Sequence, residues 1–187
     1  MSIPIEPRLR ADAQRNRDRL VDVARAAFVA GEAPTLEAIA REAGVGIGTL
    51  YRHFPTREAL VEAVYRSELE AVSASAERLL TEMPPDVALR RWMDRYGEFV
   101  RTKRGMADAF RAILAAGAGS GTRPRITAAV AGLLEAGARE GVLRGDVPAD
   151  DVVAAVLGAF LATPDPEQQP QTSRLLDLLL DALRPCD

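Results

Sequence analysis

Residues 36–55 read LEAIAREAGVGIGTLYRHFP. Two short helical stretches flank Gly44 with three to four residues between them, which is the spacing of a helix-turn-helix. Thr35 can cap the first stretch. Ala40 is small where the two helices must cross. Gly44 can take the left-handed conformation that ends the first of them. Ile39, Val45, Leu50 and Phe54 seal a core too small to stand alone. The preceding helix must therefore cover it, with Leu20, Ala24 and Phe28. Ile47, Gly48, Thr49, Tyr51, Arg52 and His53 are then left facing outward. Such a surface suits a groove: Gly48 admits the backbone to a duplex, Thr49 and Tyr51 reach phosphates or a thymine methyl, and His53 can donate to phosphate. Arg57 opens the next helix, where its guanidinium and the helix N-terminus both favour an anion.

Working outward, apolar spacing predicts helices throughout. One is expected over 11–30, after a loose arm at Met1–Pro7. Short ones cover Leu36 to Gly44 and Ile47 to Phe54, and a long one runs from Arg57 to Glu82. Pro84-Pro85 stops that helix. Further helices are expected over 86–103, 106–116, 123–140, 148–161 and 171–184. A glycine-rich turn at 117–121 and a polar loop at 163–170 separate some of them.

Composition agrees with helix. Of the 187 residues, 48% are hydrophobic, enough for a core, and only 5% are aromatic. The net charge of −3 excludes a histone-like coating protein. Ten arginines face nine acids within residues 1–66, with Arg8, Arg10, Arg15, Arg17 and Arg19 clustered near the start. That cluster reads equally as a phosphate-binding face or a solvated one. The single cysteine, Cys186, cannot form an internal disulfide, which fits a reducing cytoplasm. No apolar run is long enough to span a bilayer, and no leader is evident.

The string AIAREAGVGIGTLYRHFPTREAL, residues 38–60, closely resembles the signature of the TetR family of bacterial regulators. The resemblance spans residues 18–70 or so. It implies an all-α protein with a three-helix DNA-binding domain over 1–56. A ligand-binding and dimerisation domain would follow over 57–187, joined through the helix at 57–82. It implies a homodimer held by the last two helices, bound to double-stranded operator DNA and released by a small-molecule effector. The location implied is the bacterial cytoplasm, at the nucleoid when bound. The DNA contacts carried over fall on Thr35, Glu37, Gly46, Ile47, Gly48, Thr49, Tyr51, His53 and Arg57. Glu37 stands where some relatives place a basic residue; an acid accepts from cytosine but repels phosphate. Gly46 stands where relatives often have a capping serine.

The C-terminal half diverges. Trp92, Tyr96, Phe99, Met106 and Phe110 read as a helical core or as the wall of an effector pocket, since such pockets are largely apolar. The last two helices carry Val153, Val156, Leu157, Leu176, Leu179, Leu180 and Leu183. That arc is wide enough to serve both an internal core and a dimer seam in a four-helix bundle. An enzyme is the first rival, but the only histidine lies in the groove-reading helix, and no nucleophile–base pair, phosphate loop or metal-ligand spacing is evident. No cofactor or metal is implied. The second rival is a helical ligand-binding module with lost or weak DNA binding.

Overall fold

A computed structural model describes residues 5–30, 34–106 and 121–185, with the backbone alone for 5–10. Phe110, Cys186 and most of the helix expected over 106–116 lie outside the described residues. The described elements are all helical: α1 (Ile5–Val29), α2 (Leu36–Glu42), α3 (Ile47–His53), α4 (Arg57–Glu82), α5 (Pro85–Gly105), α6 (Thr122–Arg139), α7 (Ala149–Ala162) and α8 (Gln169–Ala182). One 3₁₀ turn, Pro166–Gln168, precedes α8. None of these helices is long and apolar enough to cross a membrane.

The chain divides into two compact units. One holds the described residues up to 67 with 101–106, and the other holds 68–100 with 121–185. The boundary expected at 56/57 is therefore displaced into α4. The first turns of α4 bury Leu60, Val61 and Val64, side chains that the small DNA-binding core needs. Two other ends also differ from expectation. Helix α1 begins at Ile5 and takes in Pro7, and α8 begins at Gln169 and takes in Pro170. Both prolines sit in a first turn, where no backbone N–H is required.

In the first unit Leu20, Ala24, Phe28, Ile39, Ala40, Leu50 and Phe54 are buried together as the spacing requires, and Val45 is half-buried. Helix α2 is capped at both ends. The Thr35 hydroxyl accepts from the Ala38 N–H at 3.2 Å. Gly44 takes φ 65°. Its N–H donates to the Arg41 carbonyl at 3.1 Å and that of Val45 to Ala40 at 2.9 Å. This pairing satisfies the last carbonyls of α2 and turns the chain towards α3.

The second unit is built on an aromatic stack. The Trp92 ring lies 5.2 Å from Tyr96 and nearly parallel to it, and Tyr96 lies 6.0 Å from Phe99. Phe160 of α7 meets Tyr96 edge-on at 6.5 Å. The Trp92 indole N–H donates to the Val72 carbonyl of α4 at 3.1 Å, so its polar atom is satisfied inside the core. A side chain at Gly97 would overlap the Phe160 ring, so glycine there is what lets α7 approach α5. Arg90 ties α5 to α8, donating to Asp177 at 2.6 Å and to Ser173 at 3.0 Å. Arg123 of α6 grips Asp150 in the first turn of α7 through two hydrogen bonds, of 2.8 and 2.5 Å.

Candidate nucleic-acid interface

Helix α3 has only seven residues, so its surface follows from 100° steps around one axis. Leu50 is fully buried and sets the inward direction. Gly48 and Arg52 stand opposite it, about 160° away, while Tyr51 at about 100° and Ile47 at about 60° lie to one side, and all four are exposed. Thr49 and His53 fall on the flank and are half-buried, His53 with its ring 6.3 Å from Phe54. Six residues are expected outward from the spacing; four form the open face and two edge it. Gly46 is the N-cap of α3 and supplies no side-chain cap bond.

Around this helix, Glu37 is exposed in the first turn of α2. Thr35 spends its hydroxyl on the cap of α2. Arg57 departs from expectation. Its guanidinium is half-buried and donates to the Pro34 carbonyl at 2.5 Å, lying 6.0 Å over the Phe28 ring. It ties the start of α4 to the chain entering α2. Two arginines of the N-terminal cluster are likewise engaged: Arg17 lies 5.3 Å over the Phe54 ring and Arg19 donates to the Ala43 carbonyl at 3.4 Å. Arg15 pairs with Asp12 along α1. The side chains of Arg8 and Arg10 lie outside the described residues.

Arg41 and Arg52, in the last turns of α2 and α3, both face solvent. The spacing places Arg52 outward without giving it a role, and nothing in the sequence singles out Arg41. The signal for Arg52 lies in its angular place beside Gly48.

The other expected site residues fall in or near cores. Trp92, Tyr96 and Phe99 are buried in the stack of the second unit, and Met106 is buried in the first. A cleft of about 470 Å³ lies along α4 and α6 instead, lined by Glu70, Ser73, Glu77, Leu80, Arg125 and Ala129 among others. Val153, Val156, Leu176, Leu180 and Leu183 are buried within their own unit, and Leu157 and Leu179 are half-buried. Leu176 and Leu180, expected to face a partner, face inward, because α8 turns its densest leucine stripe to its own core. Among the described residues no group of His, Cys, Asp and Glu side chains could hold a metal ion.

Comparison with known proteins decides the family. Residues 20–64 match the bacterial regulatory proteins of the tetR family, and residues 84–185 match the C-terminal domain of SbtR-like transcriptional regulators. The chain belongs to the TetR family. A TetR transcriptional regulator of Streptomyces coelicolor is 46% identical, with a TM-score of 0.84 over 91% of this chain and 99% of that one. A TetR regulatory protein of Mycobacterium vanbaalenii is 33% identical, with a TM-score of 0.76 over 95% and 99%. The HTH-type transcriptional repressor KstR of Mycolicibacterium smegmatis is 37% identical over 76 residues, or 39% of this chain. That match spans 37% of KstR, so the chain covers little more than a third of this curated relative. The family is one of transcriptional regulators and is non-enzymatic.

Proposed function

We propose that this TetR regulator is a repressor that a small, mainly apolar effector releases from a near-palindromic operator. The observation that carries the DNA half of the reading is the open side of α3, where Ile47, Gly48, Tyr51 and Arg52 are exposed. In a two-fold dimer the paired α3 helices enter successive major grooves, about 34–36 Å apart or slightly more. The dimer seam runs along α7 and α8. There the surface left to a partner is Ala154, Ala155, Gly158, Leu161 and Leu178 with the flanks of Leu157 and Leu179.

The effector occupies the second unit. With Trp92, Tyr96 and Phe99 stacked on one another, the space open to a ligand is the cleft along α4 and α6, whose 470 Å³ falls within the range of small-molecule sites. Its wall includes Ser73, next in sequence to the Val72 carbonyl that holds the Trp92 indole. Tryptophan fluorescence therefore reports occupancy. Helix α4 begins at Arg57, in the DNA-binding unit, and carries the cleft residues Glu70 to Leu80 further along. A ligand that favours one setting of α4 by about 1–3 kcal/mol weakens operator binding about five- to 150-fold.

Footprinting on DNA flanking the gene tests the first half; protection without two-fold symmetry refutes it. Titrating an effector with and without saturating operator tests the second. Linkage requires the DNA to weaken ligand binding by the factor with which the ligand weakens DNA binding. Equal ligand affinities in the two titrations refute the coupling.

A further inference from the structure

We propose that Ile47 reads the C5-methyl group of a thymine in the major groove, making that methyl a specificity determinant of the operator. The inference rests on the DNA-binding reading above. Ile47 is the first residue of α3 and is 40% exposed; Tyr51, one turn later on the same face, is 45% exposed. The covered part of Ile47 packs beside α3, while the exposed part leaves an apolar β-branched tip in solvent, where it gains nothing from burial and gives up helix propensity.

Its neighbours sharpen the case. Glycine stands on either side, at Gly46 and Gly48, and neither has a positive φ. A side chain added at either would meet nothing within 4 Å. Packing in this chain calls for glycine at neither position; Gly46 is the N-cap, which glycine fills at little cost, but at Gly48, inside the helix, glycine costs about 1 kcal/mol. Their effect is to leave the isoleucine standing alone on bare backbone. That backbone can then come as close to a partner as the isoleucine side chain allows.

The chemistry of the groove supplies the partner. Ile47 has no polar side-chain atom, so it makes no hydrogen bond to phosphate or to a base edge. Residues at the start of a recognition helix are those that meet base edges. Among the groups a base pair presents in the major groove, the apolar one is the thymine methyl.

Replacing thymine by deoxyuridine removes that methyl and leaves every hydrogen-bonding atom in place, so it isolates the proposed interaction. Duplexes selected from a random pool by the protein itself are remade with deoxyuridine at each thymine in turn. Binding of the wild type, Ile47→Ala and Ile47→Val is measured by fluorescence anisotropy, with circular dichroism to confirm that each variant folds. At one thymine per half-site the wild type should lose about fourfold in affinity, and about fifteenfold with both half-sites altered, the worth of one buried methyl at each. Ile47→Ala should bind the thymine and deoxyuridine duplexes equally at that position, and Ile47→Val should retain part of the difference. Tyr51→Ala should leave the difference intact. If wild type and Ile47→Ala lose affinity equally at every thymine, or neither loses any, the proposal is overturned. If selection enriches no DNA at all, the DNA-binding reading falls and takes the proposal with it.

Discussion

The pair Leu161→Glu and Leu178→Glu should convert the protein to a folded monomer, whereas Leu176→Glu should unfold it. Leu161 and Leu178 are 59% and 64% exposed, on the α7 and α8 faces proposed as the dimer seam. Full burial of a leucine is worth about 1.5–3 kcal/mol, so covering the exposed portion of each is worth about 1–2 kcal/mol. A two-fold axis counts each residue twice, which gives about 4–8 kcal/mol from four side chains. Losing that amount weakens dimerisation by about three to six decades before the cost of burying carboxylates is added. Leu176 is 1% exposed, inside its own subunit, and a carboxylate there has no water and no partner. Sedimentation velocity reads the oligomer and far-ultraviolet circular dichroism reads the fold. A double variant that stays dimeric at micromolar concentration would refute the seam. A Leu176→Glu protein that sediments as a folded monomer would refute the division into inward and outward leucines.

Arg57→Ala should lower stability by about 1–2 kcal/mol, because it removes the hydrogen bond to Pro34 and the cation over the Phe28 ring, and should leave the salt dependence of operator binding unchanged. Arg52→Ala should do the reverse, cutting the slope of log K against log salt by about one unit for each phosphate that Arg52 neutralises; denaturant melts and salt titrations separate the two. Gly97→Ala should cost about 1–3 kcal/mol because the methyl overlaps the Phe160 ring, measurable by urea unfolding. The hydrogen bond from Arg123 holds the Asp150 carboxyl below its usual range, with a smaller contribution from Thr127. A depressed folded-state pKa stabilises above the unfolded value and is lost as pH falls through the folded one. The melting temperature of Asp150→Asn should therefore lie below that of the wild type at neutral pH and converge with it in acid. The gap should be small and salt-sensitive, since both partners are exposed.

The DNA-reading unit is legible in the sequence because its residue types are over-determined. Gly44 sits where only a left-handed residue closes α2, Thr35 sits where that helix needs a cap, and a small core leaves little choice of inward positions. Arg57 escapes such reasoning for a physical reason. A helix N-terminus and a guanidinium both favour an anion, and the sequence does not show that the Pro34 carbonyl supplies an acceptor nearby. Arg17 and Arg19 are obscured in the same way by the Phe54 ring and the Ala43 carbonyl. The two displaced helix ends share a cause as well: Pro7 and Pro170 serve as first-turn residues, and proline reads equally well as a break. Gly97 carries no local signal, because its reason is Phe160, more than sixty positions away.

The aromatic residues and the leucines of α8 pose a harder problem, one of phase. The last helix carries Leu175, Leu176, Leu178, Leu179, Leu180 and Leu183, and such an arc admits several choices of inward direction. The spacing nevertheless holds the answer. Thr172, Leu176, Leu180 and Leu183 follow one another at four, four and three residues, and these are the buried positions. Leu175 and Leu179 flank the stripe and are half-buried, while Leu178 stands on the far side. A chain closes its own core with its densest apolar stripe, because those contacts form without the translational and rotational cost of association. What remains for a partner is sparse by comparison: single leucines set among alanine and glycine, as on α7 at Ala154, Ala155, Gly158 and Leu161. The same reasoning applies to Trp92, Tyr96 and Phe99. Large aromatic surfaces are the most favourable to bury and are first recruited to the core, so a ligand finds its space where side chains are small. Half of the cleft's wall is of that kind, with Ala74 and Ala76 from α4 and Ala128, Ala129 and Gly132 from α6, beside the longer Glu70, Glu77, Leu80 and Arg125.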